Sequence, residues 1–384
     1  MSLVGKRVFF VVNTDAFFLS HRRALGLALR DAGARVTVVA GETPEGRGEI
    51  LRDGHAFVSL PVAPGGRNPL REARTLGFLA ELYARQRPDL VHHVTIKPVL
   101  YGSVVSRALG VPTVNAVSGL GYVFIPQPGD PLSQRAIRAI AIRAYEVALS
   151  GPRARTIFQN PDDLRAFVEG GLVREAQTAL IRGSGVDLAR FAASPLPDGP
   201  PLVVLPARML WDKGVGEFVE AARLVRRGHP SARFVLVGGN ETENPARVPT
   251  ETLRGWEREG VVSWWGHRSD MPAVLGQATL VVLPSYREGM PLALAEAAAS
   301  GRPAVTTDVP GCREAVVDGE TGWLVPPRDA SSLGRAIATA LGDAQELARR
   351  GAAARRHAEA VLGQRAVVDA TLSVYDALMR ASTS

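Results

Sequence analysis

Short runs of apolar, often β-branched residues recur along this chain, and between them lie longer stretches whose apolar residues return every three or four positions. The short runs read as strands buried on both faces and the longer stretches as helices with one buried face. In the first half the pattern predicts strands at 7–12, 35–40, 57–60, 90–92, 113–115 and 156–159. Helices fall near 17–32, 69–87, 98–109 and 131–150, with another after Pro161. The alternation breaks at 191–201, where four prolines and a glycine within eleven residues read as an interdomain linker. A second series follows, with strands at 202–205, 234–237, 262–264, 279–283 and 304–306, helices at 215–227 and about 291–300, and an alanine-rich helical end over 329–379. Repeated βα units predict an α/β protein of two facing, doubly wound parallel sheets, with ligands bound at the strand carboxyl ends in an interdomain cleft. The expected division is 1–190, a linker 191–201, 202–362, and a C-terminal helix 363–384 that can return to the N-terminal domain.

A length of 384 residues suits two domains, and no apolar run approaches the ~18 residues of a membrane span. Lys6-Arg7 ahead of an apolar run resembles a signal peptide, but Asn13, Thr14 and Asp15 cut the run short, so a first strand of a cytoplasmic protein is expected. The single cysteine, Cys312, excludes an internal disulfide. Charge is uneven: residues 1–190 hold 24 Lys and Arg against 16 Asp and Glu, the remainder 21 against 22. A basic first half points to an anionic partner, either nucleic acid, an anionic membrane surface or a phosphorylated substrate. Aromatics are not interleaved with the arginines, and no zinc finger or helix-turn-helix signature is present, so nucleic acid is the least favoured.

The richest stretch is 284–303. A β-branched strand stops at Pro284, a loop with Glu288 and Gly289 follows, Pro291 suits the first helical position, and Gly301 with Pro303 ends the helix. A helix N-terminus beside glycine favours an anion, whereas Glu288 and Glu296 would repel one unless they face hydroxyls. A ligand with both phosphate and hydroxyls fits: a nucleotide, a sugar, or both. After the first strand of the second half, Arg208 and Lys213 lie five residues apart with Gly214 opening the next helix, and together they can bracket a diphosphate. The chain has three lysines against 42 arginines, so Lys213 marks a position suited to a compact point charge. No Asp-x-Asp pair or zinc-ligand spacing is present, and no Gly-x-Ser-x-Gly elbow follows a strand. A metal site and a Ser-His-Asp hydrolase are therefore not expected.

Arg208 with Lys213-Gly214, Glu288 with Glu296, Val309-Pro-Gly-Cys-Arg-Glu314 and 318–327 resemble, in order and spacing, the family-4 group of retaining GT-B glycosyltransferases. His93-Val-Thr-Ile-Lys-Pro98, 118–124, 158–163 and Gly183-Ser-Gly-Val-Asp-Leu188 resemble the subgroup that extends bacterial polyprenyl-diphosphate-linked oligosaccharides. The resemblance implies that Arg208 and Lys213 hold the donor diphosphate, that Glu288 faces the donor sugar, and that Glu296 takes the ribose hydroxyls. Gly214, Gly238, His267, Arg268, Gly289, Met290, Pro291 and Leu292 would complete the donor site. Asn13, His21, His93, Lys97, Ser118 and Gly119 would face the acceptor, with His92 a further candidate. No cofactor is implied. The partners would be a nucleoside diphosphate sugar, UDP-linked before GDP-linked, a glycan or polyprenyl-diphosphate glycan, and an anionic membrane surface.

Two departures stand out. The family's glycine-rich loop after the first strand is replaced by Asn13-Thr-Asp-Ala-Phe-Phe-Leu-Ser-His-Arg22, and Ser118-Gly119 stands where many relatives have histidine. Two rivals remain on the sequence: a UDP-sugar epimerase of the same fold, whose only available acid and base are His92 and His93, and a silent sugar-nucleotide-binding subunit.

Overall fold

The computed structural model describes residues 3–61, 69–118, 132–240 and 244–381. The chain forms two compact units, one of Met1–Ser184 with Val367–Ser384, the other of Gly185–Ala366.

The first unit holds strands β1 (Arg7–Thr14), β2 (Arg35–Gly41), β3 (Ala56–Ser59), β4 (Leu90–Val94), β5 (Thr113–Val117), β6 (Ala154–Phe158) and β7 (Thr178–Leu180). They pair in parallel in the order β3-β2-β1-β4-β5-β6-β7, so the chain reverses direction across the sheet between β1 and β4. Side chains alternate across a strand, and both faces here are apolar. Val8, Phe10 and Val12 join one core layer with Leu25 and Leu29, while Phe9 and Val11 join another with Leu79 and Tyr83. The helix Gln364–Ala381 packs Val367, Tyr375, Leu378 and Met379 into the first of these layers.

The second unit holds β8 (Leu202–Pro206), β9 (Arg233–Val237), β10 (Ser263–Trp264), β11 (Leu280–Leu283), β12 (Ala304–Thr307) and β13 (Gly322–Val325), in the parallel order β10-β9-β8-β11-β12-β13. The helix Val215–Val225 covers Val203 and Leu205, and Leu292–Ala299 covers Leu202 and Val204. Direction reverses between β8 and β11, which puts a ligand crevice at their carboxyl ends.

Several local expectations change. The helix expected over 17–32 is two, Asp15–His21 and Arg23–Asp31, because Arg22 at φ −130° leaves the helical region. The helix expected from Pro291 begins at Leu292. Pro291, at ψ 111°, is its N-cap and accepts at its carbonyl from the N–H groups of Leu294 and Ala295. The proline-rich stretch expected as a linker is folded onto the second unit. Phe191 is buried there, and the fully buried Arg302 donates to the carbonyls of Ser194 and Pro195. The division between units falls before it, after Ser184.

Candidate active site

The loop leaving β8 is fixed by burial of Met209 and Leu210 and closes in a tight turn over Trp211–Lys213. Gly214 ends that turn at φ +70°, where a Cβ would lie 2.1 Å from the Pro284 carbonyl oxygen. Only glycine satisfies both the left-handed backbone and this approach to the end of β11. The turn brings Lys213 to the β11 loop. Lys213 Nζ lies 2.6 Å from Glu288 Oε1, and the Ser285 hydroxyl donates to the same oxygen at 2.7 Å. The loop after β12 closes on the same place. Gly311, at φ +82°, has no room for a Cβ against the carbonyls of Glu288 and Gly289, and Glu288 N–H donates to the Pro310 carbonyl at 3.2 Å. Thr307 holds the Ser285 carbonyl through its hydroxyl.

Beyond this loop the helix Leu292–Ala299 has no side-chain cap, so the N–H groups of its first turn and the positive end of its dipole are presented at the β11 terminus. Glu296 sits one turn in, largely buried. Its carboxylate has no hydrogen-bond partner among the described residues, and burial, opposed by the charge of Arg190, pushes its pKa up to about 7. A carboxylate poised in this way is stabilised by any ligand that brings hydroxyl donors. Arg208, one residue past Ala207 on the β8 loop, is exposed and makes no side-chain bond among the described residues.

Arg208, Lys213, Gly214, Glu288, Gly289, Met290, Pro291, Leu292 and Glu296 thus all lie on the loops and helix start following β8 and β11. Gly238 has no room for a side chain. It lies 1.7 Å, measured from a built Cβ, from the Ala207 carbonyl oxygen, and its own carbonyl accepts from the Trp264 indole at 2.9 Å. His267 and Arg268 are on the exposed segment after β10, and Arg268 is already matched by a two-pronged pair with Asp270 at 2.7 and 2.6 Å. Ser285 was missed, although its place just after Pro284 at a strand end is the available signal. Asp212 was missed too. Its Oδ1 is buried without a partner beside Lys213.

In the first unit, Asn13, one residue before the end of β1, has its Oδ1 buried with no partner among the described residues. His21 closes the following helix, its Nδ1 2.7 Å from Ser20 Oγ and its ring stacked on Phe17. His93 corrects an expectation: it is wholly buried, with Nε2 2.9 Å from the Tyr83 hydroxyl and Nδ1 3.0 Å from Asn115 Oδ1. Burial brings its pKa down to about 4, so it is a neutral, fully bonded core residue. His92 is also buried, bonded through Nδ1 to the Tyr375 hydroxyl, and burial holds its pKa well below the ordinary value. Lys97 pairs with Glu72 at 2.7 Å, and Tyr101 donates to the same carboxylate at 2.8 Å. Ser118 follows β5, half-buried, and Gly119 lies outside the described residues.

Comparison with known proteins matches residues 7–160 to the family described as Glycosyl transferase 4-like, and residues 200–343 to the one described as Glycosyl transferases group 1. The N,N'-diacetylbacillosaminyl-diphospho-undecaprenol alpha-1,3-N-acetylgalactosaminyltransferase of Campylobacter jejuni is 28% identical over 352 residues, 88% of this chain and 90% of that one. The UDP-Gal:alpha-D-GlcNAc-diphosphoundecaprenol alpha-1,3-galactosyltransferase of Escherichia coli is 24% identical over 77% of each chain. Among solved structures, a sucrose-phosphate synthase from Thermosynechococcus elongatus superposes with TM-score 0.80 at 20% identity, covering 98% of this chain and 100% of the other. Anabaena Alr3699/HepE in complex with UDP-glucose gives 0.76 at 19% identity, covering 97% and 99%. At these identities the structural likeness establishes the fold.

Proposed function

From the premise that this chain belongs to the Glycosyl transferase 4-like and group 1 glycosyltransferases, we propose that it transfers a hexose or N-acetylhexosamine from a nucleoside diphosphate sugar, UDP-linked, to a glycan on a polyprenyl diphosphate. The transfer retains configuration and needs no metal. The observation that carries the reading is the contact of Lys213 with Glu288 beside the uncapped helix Leu292–Ala299, with the unpartnered Glu296 on that helix. Arg208, Lys213 and the first-turn N–H groups meet the donor diphosphate. Glu296 accepts from the ribose hydroxyls, and Glu288, held by Ser285 as well as Lys213, accepts from the sugar.

In the reaction the bond between the sugar anomeric carbon and the β-phosphate oxygen breaks, and the acceptor oxygen bonds that carbon on the same face. The acceptor proton passes to the departing phosphate oxygen, so no protein nucleophile forms a covalent intermediate. Lys213 and Arg208 act mainly on the charge that grows on the leaving diphosphate, which is the kind of interaction that raises turnover rather than ground-state affinity. The epimerase alternative loses its acid and base, since His92 and His93 are both buried in the core.

Among the described residues no helix is long and apolar enough to cross a membrane. Attachment to an anionic surface is assigned to the helix Leu132–Leu149, which carries Arg135, Arg138 and Arg143 and exposes Ile140, Ile142 and Val147. The deciding experiment incubates a pool of lipid-linked acceptors with a panel of sugar nucleotides and follows the products by mass spectrometry. Addition of one sugar residue to a polyprenyl-diphosphate glycan is expected. Donor binding with no transfer to any acceptor would overturn the reading in favour of a silent subunit.

A further inference from the structure

Two arginines are buried among the described residues, and they are treated differently. Arg302, wholly buried in the second unit, is satisfied on every nitrogen: Nε donates to the Leu275 carbonyl, Nη1 to those of Ser194 and Pro195, and Nη2 to Gly276 and the Ser194 hydroxyl. That is how a guanidinium held only for architecture is arranged. Arg22, 6% exposed in the first unit, is not arranged so. Its Nη1 donates to the His21 carbonyl and the Ser184 hydroxyl, each at 3.1 Å, while Nε is buried with no partner and no carboxylate pairs with it among the described residues.

The groups around it cannot supply the missing charge. Tyr375 and His92 lie close enough to exchange electrostatic influence with Arg22, but burial keeps the phenol protonated and the imidazole neutral. His92 Nε2 is itself buried without a partner. On the other side, Ser184 follows Gly183, which is buried at φ +72°, and the amides of Gly183 and Ser184 have no acceptor among the described residues. A buried guanidinium with an unsatisfied Nε therefore stands against the Ser184 hydroxyl with no counter-charge among the described residues. Arg22 lies between the helices Asp15–His21 and Arg23–Asp31, the first elements after β1.

We propose that Arg22, with the Ser184 hydroxyl, forms an anion site of the first unit that takes a diphosphate. That this diphosphate belongs to a substrate rests on the transfer reaction proposed above. Two sources share the chemistry, the sugar nucleotide and the isoprenyl diphosphate of the acceptor.

The test uses the full chain and its Arg22→Met, Arg22→Lys and Ser184→Ala variants, titrated calorimetrically with UDP and, separately, with farnesyl diphosphate. Thermal melting reports whether each variant is folded. Arg22→Met is expected to weaken one of the two ligands by about tenfold or more, with Arg22→Lys intermediate and Ser184→Ala weaker by about threefold. Loss confined to farnesyl diphosphate assigns the site to the acceptor, and loss confined to UDP assigns it to the donor. A folded Arg22→Met that binds both ligands as the unaltered chain does, or an unaltered chain that binds neither, overturns the proposal. If Arg22→Met does not fold, Ser184→Ala with unchanged affinities overturns it. Failure of the transfer reading shows differently: no sugar is added to any acceptor, yet Arg22-dependent binding of farnesyl diphosphate persists.

Discussion

Lys213 and Glu288 are 75 residues apart in sequence, and their side chains meet at 2.6 Å, each only about one-seventh exposed. The pair is formed by two loops that leave adjacent strands, and the lysine is held where a leaving diphosphate would draw it. Lys213→Ala should lower kcat by about 100-fold or more while changing affinity for the nucleoside part little, since the charge it meets grows as the bond breaks. Lys213→Arg should rescue poorly, because a fork cannot replace a point charge against the single Oε1 shared with Ser285. Steady-state kinetics check both, and a kcat like that of the unaltered chain would remove Lys213 from the mechanism.

Glu296 gives a prediction with a definite sign in pH. Its carboxyl titrates near 7 in the folded chain against an ordinary 4.5, because burial disfavours the charged form. Below pH 4.5 it is protonated whether folded or not and makes no difference. Between 4.5 and 7 the unfolded chain releases a proton that the folded one keeps, so the group costs progressively more stability, fully so above 7. Glu296→Gln should therefore raise Tm at pH 8 and leave it nearly unchanged at pH 4. Donor binding should behave oppositely. UDP affinity should rise from pH 6 to pH 8 in the unaltered chain and be flat and weaker by about 1–2 kcal/mol in the variant, by calorimetry.

His93→Ala should destabilise the first unit by about 2–4 kcal/mol, since it empties a buried site, leaves the Tyr83 hydroxyl without its partner and leaves Asn115 Oδ1 only the bond from Ser103. Acceptor KM at a temperature where the variant remains folded should be unaffected. Denaturant melts paired with kinetics check this, and a raised acceptor KM without loss of stability would restore His93 to the acceptor site.

On the proposed reading chelation should leave turnover essentially intact, because Arg208, Lys213 and a helix N-terminus would provide the positive charge for the diphosphate. Rates measured in EDTA and after adding back magnesium or manganese decide the point. Collapse and recovery would contradict it.

Changing Arg135, Arg138 and Arg143 together to glutamine should reduce co-sedimentation with anionic vesicles, by about 1 kcal/mol for each basic residue at the surface, and leave turnover on a soluble acceptor unchanged. Equal sedimentation of both proteins at low salt would discard the membrane role and leave the transferase reading intact.

What the sequence determined by itself was whatever is written in local periodicity and punctuation. β-branched runs stopped by Pro284, Gly301 followed by Pro303, and repeated βα spacing suffice for two parallel-sheet units, because burial on both faces leaves few alternatives for such runs. Short or weakly apolar elements escaped: β7 is three residues long, β13 has four, and the helix Pro44–Arg52 is mostly polar, though Thr43 capping Gly46 N–H with proline following was a readable start. Only the tertiary structure decided which polar side chains are used up. His93 looked available until Tyr83 and Asn115 took both its nitrogens, and Arg22 looked like one arginine among 42 until burial without a carboxylate among the described residues set it apart. The reason is physical. A side chain's partners come from strands and helices distant in sequence, so its protonation, satisfaction and reach are set by packing, which no local pattern contains.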